Sequence, residues 1–427
     1  MASSETLSRR ALARATLARQ MLLERERLPV SKAVERLVAL QAQWPRPPFV
    51  GLWTRLQGFE RSQLTALLHE RKVVRATFVR ATLHLVTTKD FLALRPSLQP
   101  MLDGGLAAVL RERAKGLEPA RLSAQARRFL ARGPRTFEDV REHLAKETPG
   151  GDVRAMGYAV RLTLPLVQVP TETDSPWAFA SNPSFAVAED WLGRAVPREP
   201  GTPAALLLRY LAAYGPASLA DMQAWSGFGG LRETVEALRP RLRVFRDEQK
   251  RELFDLPDAP RPSEDVPAPV RLVPEYDNLI TARTDDRFVA KADRPKVYLS
   301  ALRIAPTVLV DGRVAGTWGG RTEEVRGRPH HRSVRAPVRP RQAGRARRSR
   351  RAPAVRGARC RLARRARGEV AAQSAEMRYR CFAPRRYSSP STRAGDASNA
   401  SSSRFVASTL SCGPAASTTA APSRPTT

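Results

Sequence analysis

The segments FLARGPRTFEDVREHLA, residues 129–145, and LAAYGPASLADMQAWSG, residues 211–227, repeat one pattern at an offset of 82 residues. Each segment begins in an apolar helical stretch, turns at a Gly-Pro pair and opens a second helix. Glycine and proline interrupt helices, so the pair predicts a tight turn between two helices. Two such helices, followed by a third helix and a strand hairpin, form a winged helix.

Both repeats carry the same signal for the start of the second helix. Thr136 and Ser218 are good N-caps, because a hydroxyl can accept a hydrogen bond from a free amide of the first turn. Asp139 and Asp221 follow three residues later, as in a variant of the capping box. The sequence therefore predicts that the second helix begins at the same place in both repeats.

The residues after each repeat predict a third helix and a wing. In the later unit, residues 231–245 are predicted as the third helix, and a hairpin is predicted around residues 247–249. In the earlier unit, VRAMGYAVRLTLPLVQVP, residues 153–170, predicts a helix that runs into a strand. SPWAFA, residues 175–180, is predicted as the returning wing strand.

A looser third copy is predicted at the N-terminus. Its first helix covers residues 8–23, and its second helix begins at Pro29 with Ser31 as a possible cap. RSQLTALLHERKVV, residues 61–74, predicts a third helix, and FVRATLHLVTTKDF, residues 78–91, alternates like a strand.

These units predict an α+β protein with three tandem winged-helix domains and an appended C-terminal β-region, followed by a disordered tail. The β-region includes PTVLVDGRVAGTW, which alternates around Asp311-Gly312 and predicts a hairpin. In chain order, the predicted domains cover residues 1–118, with a Gln-Ala-Gln motif; 119–198; 199–318, with the β-region; and the tail, 319–427.

The formal net charge of +32 is unevenly distributed along the chain. From Gly319 onward there are 25 arginines, no lysine and 5 acidic residues, so this segment carries a net charge of +20. Residues 1–318 keep 48 basic and 36 acidic residues, a net charge of +12. This part is moderately basic, which favours contact with duplex phosphates.

The composition of residues 1–318 limits the chemistry expected there. All three cysteines lie after this range, so it has no thiol nucleophile, and its three histidines lack metal-ligand spacing. We therefore expect no metal and no cofactor. The chain has no run of 18 apolar residues that would predict a membrane span, and its N-terminus lacks the apolar core of a secretory signal. A cytoplasmic, nucleoid-associated protein is expected.

The character of the sequence changes abruptly after Trp318, in the middle of a β-pattern. Helical and strand periodicity disappear, and arginine, proline, alanine and serine dominate. Residues 1–318 contain 40 arginines but 8 lysines, which suggests GC-rich codons. Out-of-frame translation of such codons yields mainly Arg, Ala, Pro, Gly and Ser, so we interpret residues 319–427 as a frameshift product. The alternative is a genuine Arg-rich tail that binds nucleic acid.

LQAQWP, residues 40–45, places two glutamines at the end of an apolar helical pattern. Pro45 disfavours the α conformation at Trp44, so we expect the helix to end across Gln41-Ala42-Gln43. Side chains two residues apart diverge by about 200° in a helix but share a face in an extended segment. Both amides therefore either point into one cleft or hydrogen-bond the last helical carbonyls.

Several motifs in order resemble the winged-helix DNA-binding-domain family that includes the AlkZ-type DNA glycosylases. The resemblance covers roughly residues 7–318 and is carried by the following segments: LQAQWPRPPFVGLWTRL, VRATFVRATLHLVTTKDFLALRP, GPASLADMQAWSG, RELFDLP, VPEYDNLI and TVLVDGRVAGTW. The family continues its strand after a motif like AGTW, whereas this chain loses the pattern at Gly319. The resemblance implies three tandem winged helices with a β-region.

The resemblance also implies an activity for the two glutamines. Gln41-Ala42-Gln43 matches the Gln-apolar-Gln catalytic motif of AlkZ-like members, whereas a sister branch has Asp at the second position. The resemblance implies a DNA glycosylase that excises alkylated bases, including bulky N7-alkylguanines, and unhooks interstrand crosslinks. The implied partner is double-stranded DNA carrying alkylated bases. We expect a monomer, since three tandem modules have little need to dimerise.

Glutamine suits the excision of a base that is already a good leaving group. An N7-alkylated purine is already cationic, so its departure needs no general acid. Amide oxygens of Gln41 and Gln43 can orient a water toward C1′ and place negative dipole density near the oxocarbenium-like sugar. Two neutral amides activate water weakly, so selectivity for labile, cationic lesions is expected.

Other residues are candidates for contact with substrate or DNA. Trp44 adjoins the motif, and Arg80, Thr82 and His84 alternate on one face of the strand predicted for residues 78–91, where they could line the same cleft. Structural alternatives exist, since His84 can be a hydrogen-bonded core histidine and Trp44 can pack. Glu275 and Asp277 are the best carboxylate pair, although capping and turn formation explain them better.

Two other functions remain open from the sequence. A winged-helix protein can bind DNA without catalysis, as a transcriptional regulator does, or it can serve as a protein-interaction scaffold. Release of a base from alkylated DNA separates the glycosylase from both.

The frameshift hypothesis predicts a specific result at the nucleotide level. Resequencing the gene across codon 318 should reveal an insertion or deletion that restores a β-strand pattern after Trp318. An uninterrupted frame that encodes the Arg-rich segment would contradict this hypothesis.

Overall fold

The computed structural model describes residues 5–113, 116–171, 175–197, 199 and 201–319. Helices and strands are both abundant there, so the α+β class is confirmed. The predicted disordered tail lies outside the described residues, except for Gly319. No helix within these ranges is long and apolar enough to cross a membrane.

The N-terminal part contains the looser of the predicted units. Its elements are β1 (Thr6–Leu7), α1 (Arg9–Arg19), α2 (Val30–Arg36), β2 (Leu40–Gln41), α3 (Pro47–Trp53), α4 (Arg61–His69), β3 (Val73–Thr77), β4 (Leu83–Thr87), α5 (Thr88–Leu94) and α6 (Gln99–Arg113).

Several details of the predicted N-terminal unit are wrong. Helices α1 and α4 end at Arg19 and His69, before the predicted ends at residues 23 and 74. Ser31 is not a cap, because α2 begins at Val30 and its N-cap residue is Pro29. The strand predicted for residues 78–91 is interrupted, because the chain turns at Val79–Ala81 before it enters β4. The alternation of apolar residues continues through that turn, which is why the sequence conceals it.

The middle part contains the earlier of the two sequence repeats. Its elements are α7 (Pro119–Leu130), β5 (Arg135–Thr136), α8 (Phe137–Glu147), α9 (Val153–Thr163), β6 (Leu166–Gln168), β7 (Ser184–Val187) and α10 (Ala188–Leu192). The predicted capping box is confirmed, since Thr136 Oγ1 accepts from the Asp139 amide and the Asp139 carboxylate accepts from the Thr136 amide.

The returning strand of this unit lies later than predicted. SPWAFA forms turns and bends instead of a strand, and β7 begins at Ser184. Ala178 adopts the left-handed conformation, with φ of 64°, and its amide donates to the Ser175 carbonyl. A left-handed residue cannot continue an extended strand, so the segment turns there.

The C-terminal part contains the later repeat and the β-region. Its elements are α11 (Pro203–Tyr214), α12 (Leu219–Ser226), α13 (Arg232–Leu238), β8 (Arg243–Asp247), β9 (Glu252–Asp255), β10 (Arg271–Val273), α14 (Asn278–Thr281), α15 (Arg294–Val297), β11 (Thr307–Val310) and β12 (Arg313–Thr317). The capping box of Ser218 and Asp221 is confirmed, as are the hairpins before β9 and at Asp311-Gly312.

The hairpins of the first two units join into one sheet. Its strand order is β2-β4-β3-β6-β7-β5, and β3 pairs antiparallel with β6 through Arg75 opposite Gln168 and Ala76 opposite Val167. The predicted boundary between residues 118 and 119 is therefore crossed by a continuous sheet. The other sheets have the orders β1-β8-β9 and β10-β11-β12.

Helix α1 joins the N-terminal part to the C-terminal part through buried charge. Arg19 makes a bidentate ion pair with Asp255, with N–O distances of 2.6 and 2.8 Å and both side chains buried. Arg55 pairs in the same way with Asp277, at 2.8 and 2.9 Å. A charge removed from water needs such a partner, so these pairs fix the relative positions of elements far apart in sequence.

We expect the Arg19–Asp255 pair to be sensitive to loss of one partner. Asp255→Ala leaves the buried guanidinium of Arg19 without a counter-charge, so the free energy of unfolding should fall by about 3–5 kcal/mol. Urea unfolding of the full chain measures this free energy. Asp293→Ala, which breaks an exposed pair with Lys296, should change it by less than about 1 kcal/mol. Equal losses in the two variants would contradict the assignment.

Candidate active site

Gln41 lies in an extended strand and Gln43 in a bend, and the helix before them is shorter than predicted. Helix α2 ends at Arg36, and Val38 is left-handed, with φ of 66°. The chain then enters β2, where Leu40 pairs with Leu85 and Gln41 with His84 of β4. The expectation that a helix ends across the two glutamines is therefore wrong. Gln41 lies in an edge strand of the six-stranded sheet, and Ala42 extends its pairing because its amide donates to the Leu83 carbonyl.

Gln41 is buried, and its side chain is held by Arg80. Arg80 Nη2 donates to Gln41 Oε1 at 2.8 Å and to Asn278 Oδ1 at 3.0 Å, and Arg80 Nη1 donates to the Trp225 carbonyl at 2.6 Å. Asn278 Nδ2 in turn donates to the Ala39 carbonyl at 2.9 Å. One guanidinium therefore connects β2, α12 and α14.

The turn that carries Arg80 has an unusual backbone. Arg80 and Ala81 both have φ of 56°, a conformation that costs non-glycine residues roughly 1–3 kcal/mol each. Glycine allows close packing against this turn, because a Cβ at Gly227 would lie 3.1 Å from Arg80 Cα. The expectation that Arg80, Thr82 and His84 lie along one strand face is therefore wrong for Arg80.

Gln43 and Trp44 are exposed, unlike Gln41. The indole of Trp44 is 60% exposed. The Gln43 side chain makes no hydrogen bond with any residue that the structure describes. Beneath this surface, Arg75 Nε donates to the Ala42 carbonyl at 3.0 Å and Arg75 Nη2 donates to the Gln43 carbonyl at 3.2 Å. The backbone of the motif is therefore fixed, while the Gln43 amide remains free to meet a ligand.

His84 is buried and belongs to the same face of the sheet as Gln41, its cross-strand partner. Its Nδ1 lies 3.0 Å from the Thr82 carbonyl. Because a carbonyl only accepts, Nδ1 carries the proton and Nε2 carries the lone pair. Burial, with the charge of Arg80 as the next cause, lowers the pKa of His84 to about 3. His84 is neutral at physiological pH.

Thr82 has a local structural role in this arrangement. Its hydroxyl donates to the Val79 carbonyl at 3.1 Å, and its amide donates to the same carbonyl. Both bonds close the turn around Arg80.

The charge around the motif is positive. Burial lowers the pKa of Arg75 and the pKa of Arg80 to about 10, so both remain protonated at neutral pH. Within the described ranges, neither guanidinium forms an ion pair with a carboxylate. Carbonyl and amide oxygens satisfy them instead, which leaves their charge uncompensated next to an exposed surface.

Asp277, one of the two carboxylate candidates from the sequence, has a structural role. Asp277 is paired with Arg55, and it caps α14 by accepting from the Leu279 amide at 2.9 Å. The structural explanation is therefore confirmed for Asp277. Asn278, its neighbour, was not predicted, although the quoted motif VPEYDNLI contains it. In the described part of the chain, no group of three or more His, Cys, Asp or Glu could hold a metal ion.

Comparison with known proteins gives a family and a fold. A family model described as DNA glycosylase AlkZ-like matches residues 34–365. Among solved structures, the Streptomyces sahachiroi DNA glycosylase AlkZ is similar with a TM-score of 0.59 and 19% identity, over 74% of this chain and 88% of that one. No curated protein matches the chain by sequence. The family match extends past Trp318, so the frameshift interpretation stays a prediction.

The state of His84 predicts how stability depends on pH. Its pKa is about 3 in the folded protein against an ordinary value of 6.5, so between these values the unfolded chain binds a proton that the folded chain does not. Stability therefore falls as pH drops below about 6.5. His84→Gln should reduce this slope by about 1 kcal/mol per pH unit, as measured by urea unfolding from pH 7 to 4. An unchanged slope, equal to that of His143→Gln, would contradict the prediction.

Proposed function

Because the chain belongs to the AlkZ-like DNA glycosylase family, we propose that it hydrolyses the N-glycosidic bond of alkylated purines in double-stranded DNA as a step of repair. The observation that carries this proposal is the exposed Gln43-Trp44 pair on a backbone held by Arg75. An immobile backbone with a free amide suits the orientation of a water, because catalysis by positioning needs a fixed geometry.

We propose that three winged-helix modules form the DNA-binding body. The first consists of α1, α2 and α4 with the β3–β4 hairpin, the second of α7, α8 and α9 with β6 and β7, and the third of α11, α12 and α13 with β8 and β9. The order of elements and the two capping boxes support this assignment. The net charge of +12 in residues 1–318 supports duplex DNA as the partner.

The proposed reaction uses Gln43 to orient the attacking water toward C1′ of the deoxyribose. Its amide oxygen is a neutral acceptor, so it directs the water without removing a proton in advance. A neutral acceptor accelerates hydrolysis of an unmodified nucleotide very little, because the leaving base would carry a negative charge. An N7-alkylated purine leaves as a neutral base, which is why we propose cationic N7-alkylpurines as the substrate class.

The exposed indole of Trp44 supports action on bulky lesions. A tryptophan with a free face can stack on a base or on an aromatic adduct, a contact worth roughly 1–3 kcal/mol. Because Gln43 and Trp44 lie on an exposed surface, a substituent on N7 of a base held there can extend into solvent. We therefore propose that large adducts, including one arm of an interstrand crosslink, are accepted.

We further propose a monofunctional reaction that needs no metal. A lyase step requires a positioned amine, and the sequence has no lysine between Lys32 and Lys72. The side chains gathered around the motif in the described region are amides, guanidiniums and a neutral histidine. These groups position substrate and water, and they lack the carboxylate set expected of a hydrolytic metal centre.

Base release from duplex DNA containing 7-methylguanine tests the proposal. The full chain should release the base in single-turnover conditions, and Gln43→Ala should be slower by about 100-fold, as for loss of one preorganised group. Gln57→Ala, which removes an exposed glutamine that bonds Arg25 and Arg27, is the matched control and should keep the rate.

The alternative of a DNA-binding regulator is an outcome of the same experiment. Tight binding of duplex DNA without any base release by the wild-type chain would favour the regulator. Release that is equal in wild type and Gln43→Ala would remove Gln43 from the mechanism while leaving the glycosylase activity.

A further inference from the structure

The side-chain amide of Gln41 has a defined orientation. The oxygen and nitrogen of a glutamine amide are usually assigned from their partners. Here the partner is Arg80, whose guanidinium has only donors, so the atom 2.8 Å from Arg80 Nη2 is the carbonyl oxygen. The amide nitrogen, Nε2, therefore faces away from Arg80. What Gln41 presents beyond this contact is a pair of N–H donors.

Two further hydrogen bonds hold the guanidinium of Arg80 in its position next to Gln41 Oε1. Its other bonds go to the Trp225 carbonyl and to Asn278 Oδ1. The orientation of Asn278 is fixed by its own bond to the Ala39 carbonyl and by Thr281 Oγ1, which lies 3.2 Å from Asn278 Oδ1. Three acceptors from three parts of the fold hold one guanidinium. A flip of the Gln41 amide would place N–H groups against a cation and is disfavoured.

We propose that Gln41 donates a hydrogen bond to the departing purine and that Arg80 is the positioning residue that selects this orientation. This inference rests on the proposed glycosylase function. It assigns the two glutamines different roles, since the amide of Gln43 makes no such contact within the described structure and is free to turn its oxygen to water.

The charge of Arg80 favours a donor role over an acceptor role. A guanidinium bound to Oε1 draws electron density from the amide and makes its N–H groups better donors. The same charge opposes any contribution of this oxygen to stabilising the oxocarbenium-like sugar. Gln41 therefore acts where electron density increases during the reaction, which is on the leaving base.

The reaction balances with water as the only co-reactant. The C1′–N9 bond breaks, and its electron pair moves into the purine and neutralises the cationic imidazolium ring. N3 and O6 of the purine become better acceptors as this occurs, so a bond from Gln41 Nε2 strengthens toward the transition state. Water adds to C1′ and loses a proton to solvent.

Replacement of Gln41 by glutamate distinguishes a hydrogen-bond donor role of its side chain from an acceptor role. Gln41→Glu keeps the shape and the contact with Arg80, but it offers oxygens only. If Gln41 donates, the single-turnover rate of 7-methylguanine release at saturating enzyme should fall by about 100-fold, as for loss of one oriented donor. If its oxygen is the active atom, the added negative charge should preserve or raise the rate, which would overturn the proposal.

The matched control is Gln57→Glu, which places a glutamate beside another arginine on an exposed surface. It should release base at the wild-type rate. The thermal midpoints of both glutamate variants should stay near that of wild type, so that a loss of rate in Gln41→Glu reports chemistry.

The role of Arg80 is tested by a double-mutant cycle. Arg80→Ala should slow base release in the wild-type background but add little to the effect of Gln41→Ala, because both act through one amide. A purely structural role would lower the rate to the same extent in both backgrounds and would overturn the assignment. Absence of release by the wild-type chain would instead refute the glycosylase function itself, whereas release retained in Gln41→Glu refutes only the donor role.

Discussion

The guanidinium of Arg80 is the constraint on which the arrangement of the site depends. Its three acceptors come from β2, α12 and α14, so the N-terminal sheet, the later repeat and the β-region meet at one half-buried cation. A charge largely removed from water and without a carboxylate partner is stable only when its donors are satisfied. Displacement of any of these elements would leave a donor unpaired. The strained backbone at Arg80 and Ala81 is maintained by the same packing.

Charged and polar side chains at the end of helix α1 also connect distant parts of the protein through its interior. Arg19 reaches Asp255, while Gln20 accepts from Arg55, which is paired with Asp277. Replacing such pairs by apolar side chains can be neutral or stabilising in other proteins, so we infer that these pairs contribute to specificity more than to stability. Because each pair accepts only one geometry, the third unit and the β-region take one position relative to the six-stranded sheet. That position brings Asn278 to Arg80.

Local signals were readable from the sequence, whereas long-range pairing was not. The capping boxes at Thr136 and Ser218 were predictable because a cap and its partner are three residues apart. The turn at Arg80 was hidden because apolar alternation continues through it. The family resemblance directed attention to Gln41 and Gln43, but their different environments arise from Arg75 and Arg80, which meet them only after β2, β3 and β4 pair. The joining of two hairpins through β3 and β6 has no sequence signature, since it pairs residues about 90 positions apart, Arg75 with Gln168 and Ala76 with Val167.

The positive charge of the site has opposite consequences for the two ends of the proposed bond cleavage. Before cleavage, the charge of the lesion resides on the purine, and in the transition state it moves to the oxocarbenium-like sugar. A guanidinium near the purine repels the bound cationic lesion and raises its energy, and this repulsion disappears when the base becomes neutral. A guanidinium near the sugar would instead repel the developing positive charge and oppose the reaction. Arg80 therefore aids departure only if Gln41 meets the base. Binding must still overcome this repulsion, and the phosphates that flank the lesion supply the compensating attraction because they lie within roughly a Debye length, about 8–10 Å. A free alkylated nucleoside offers no such phosphates, so this electrostatic arrangement favours lesions in duplex DNA over the same base in solution.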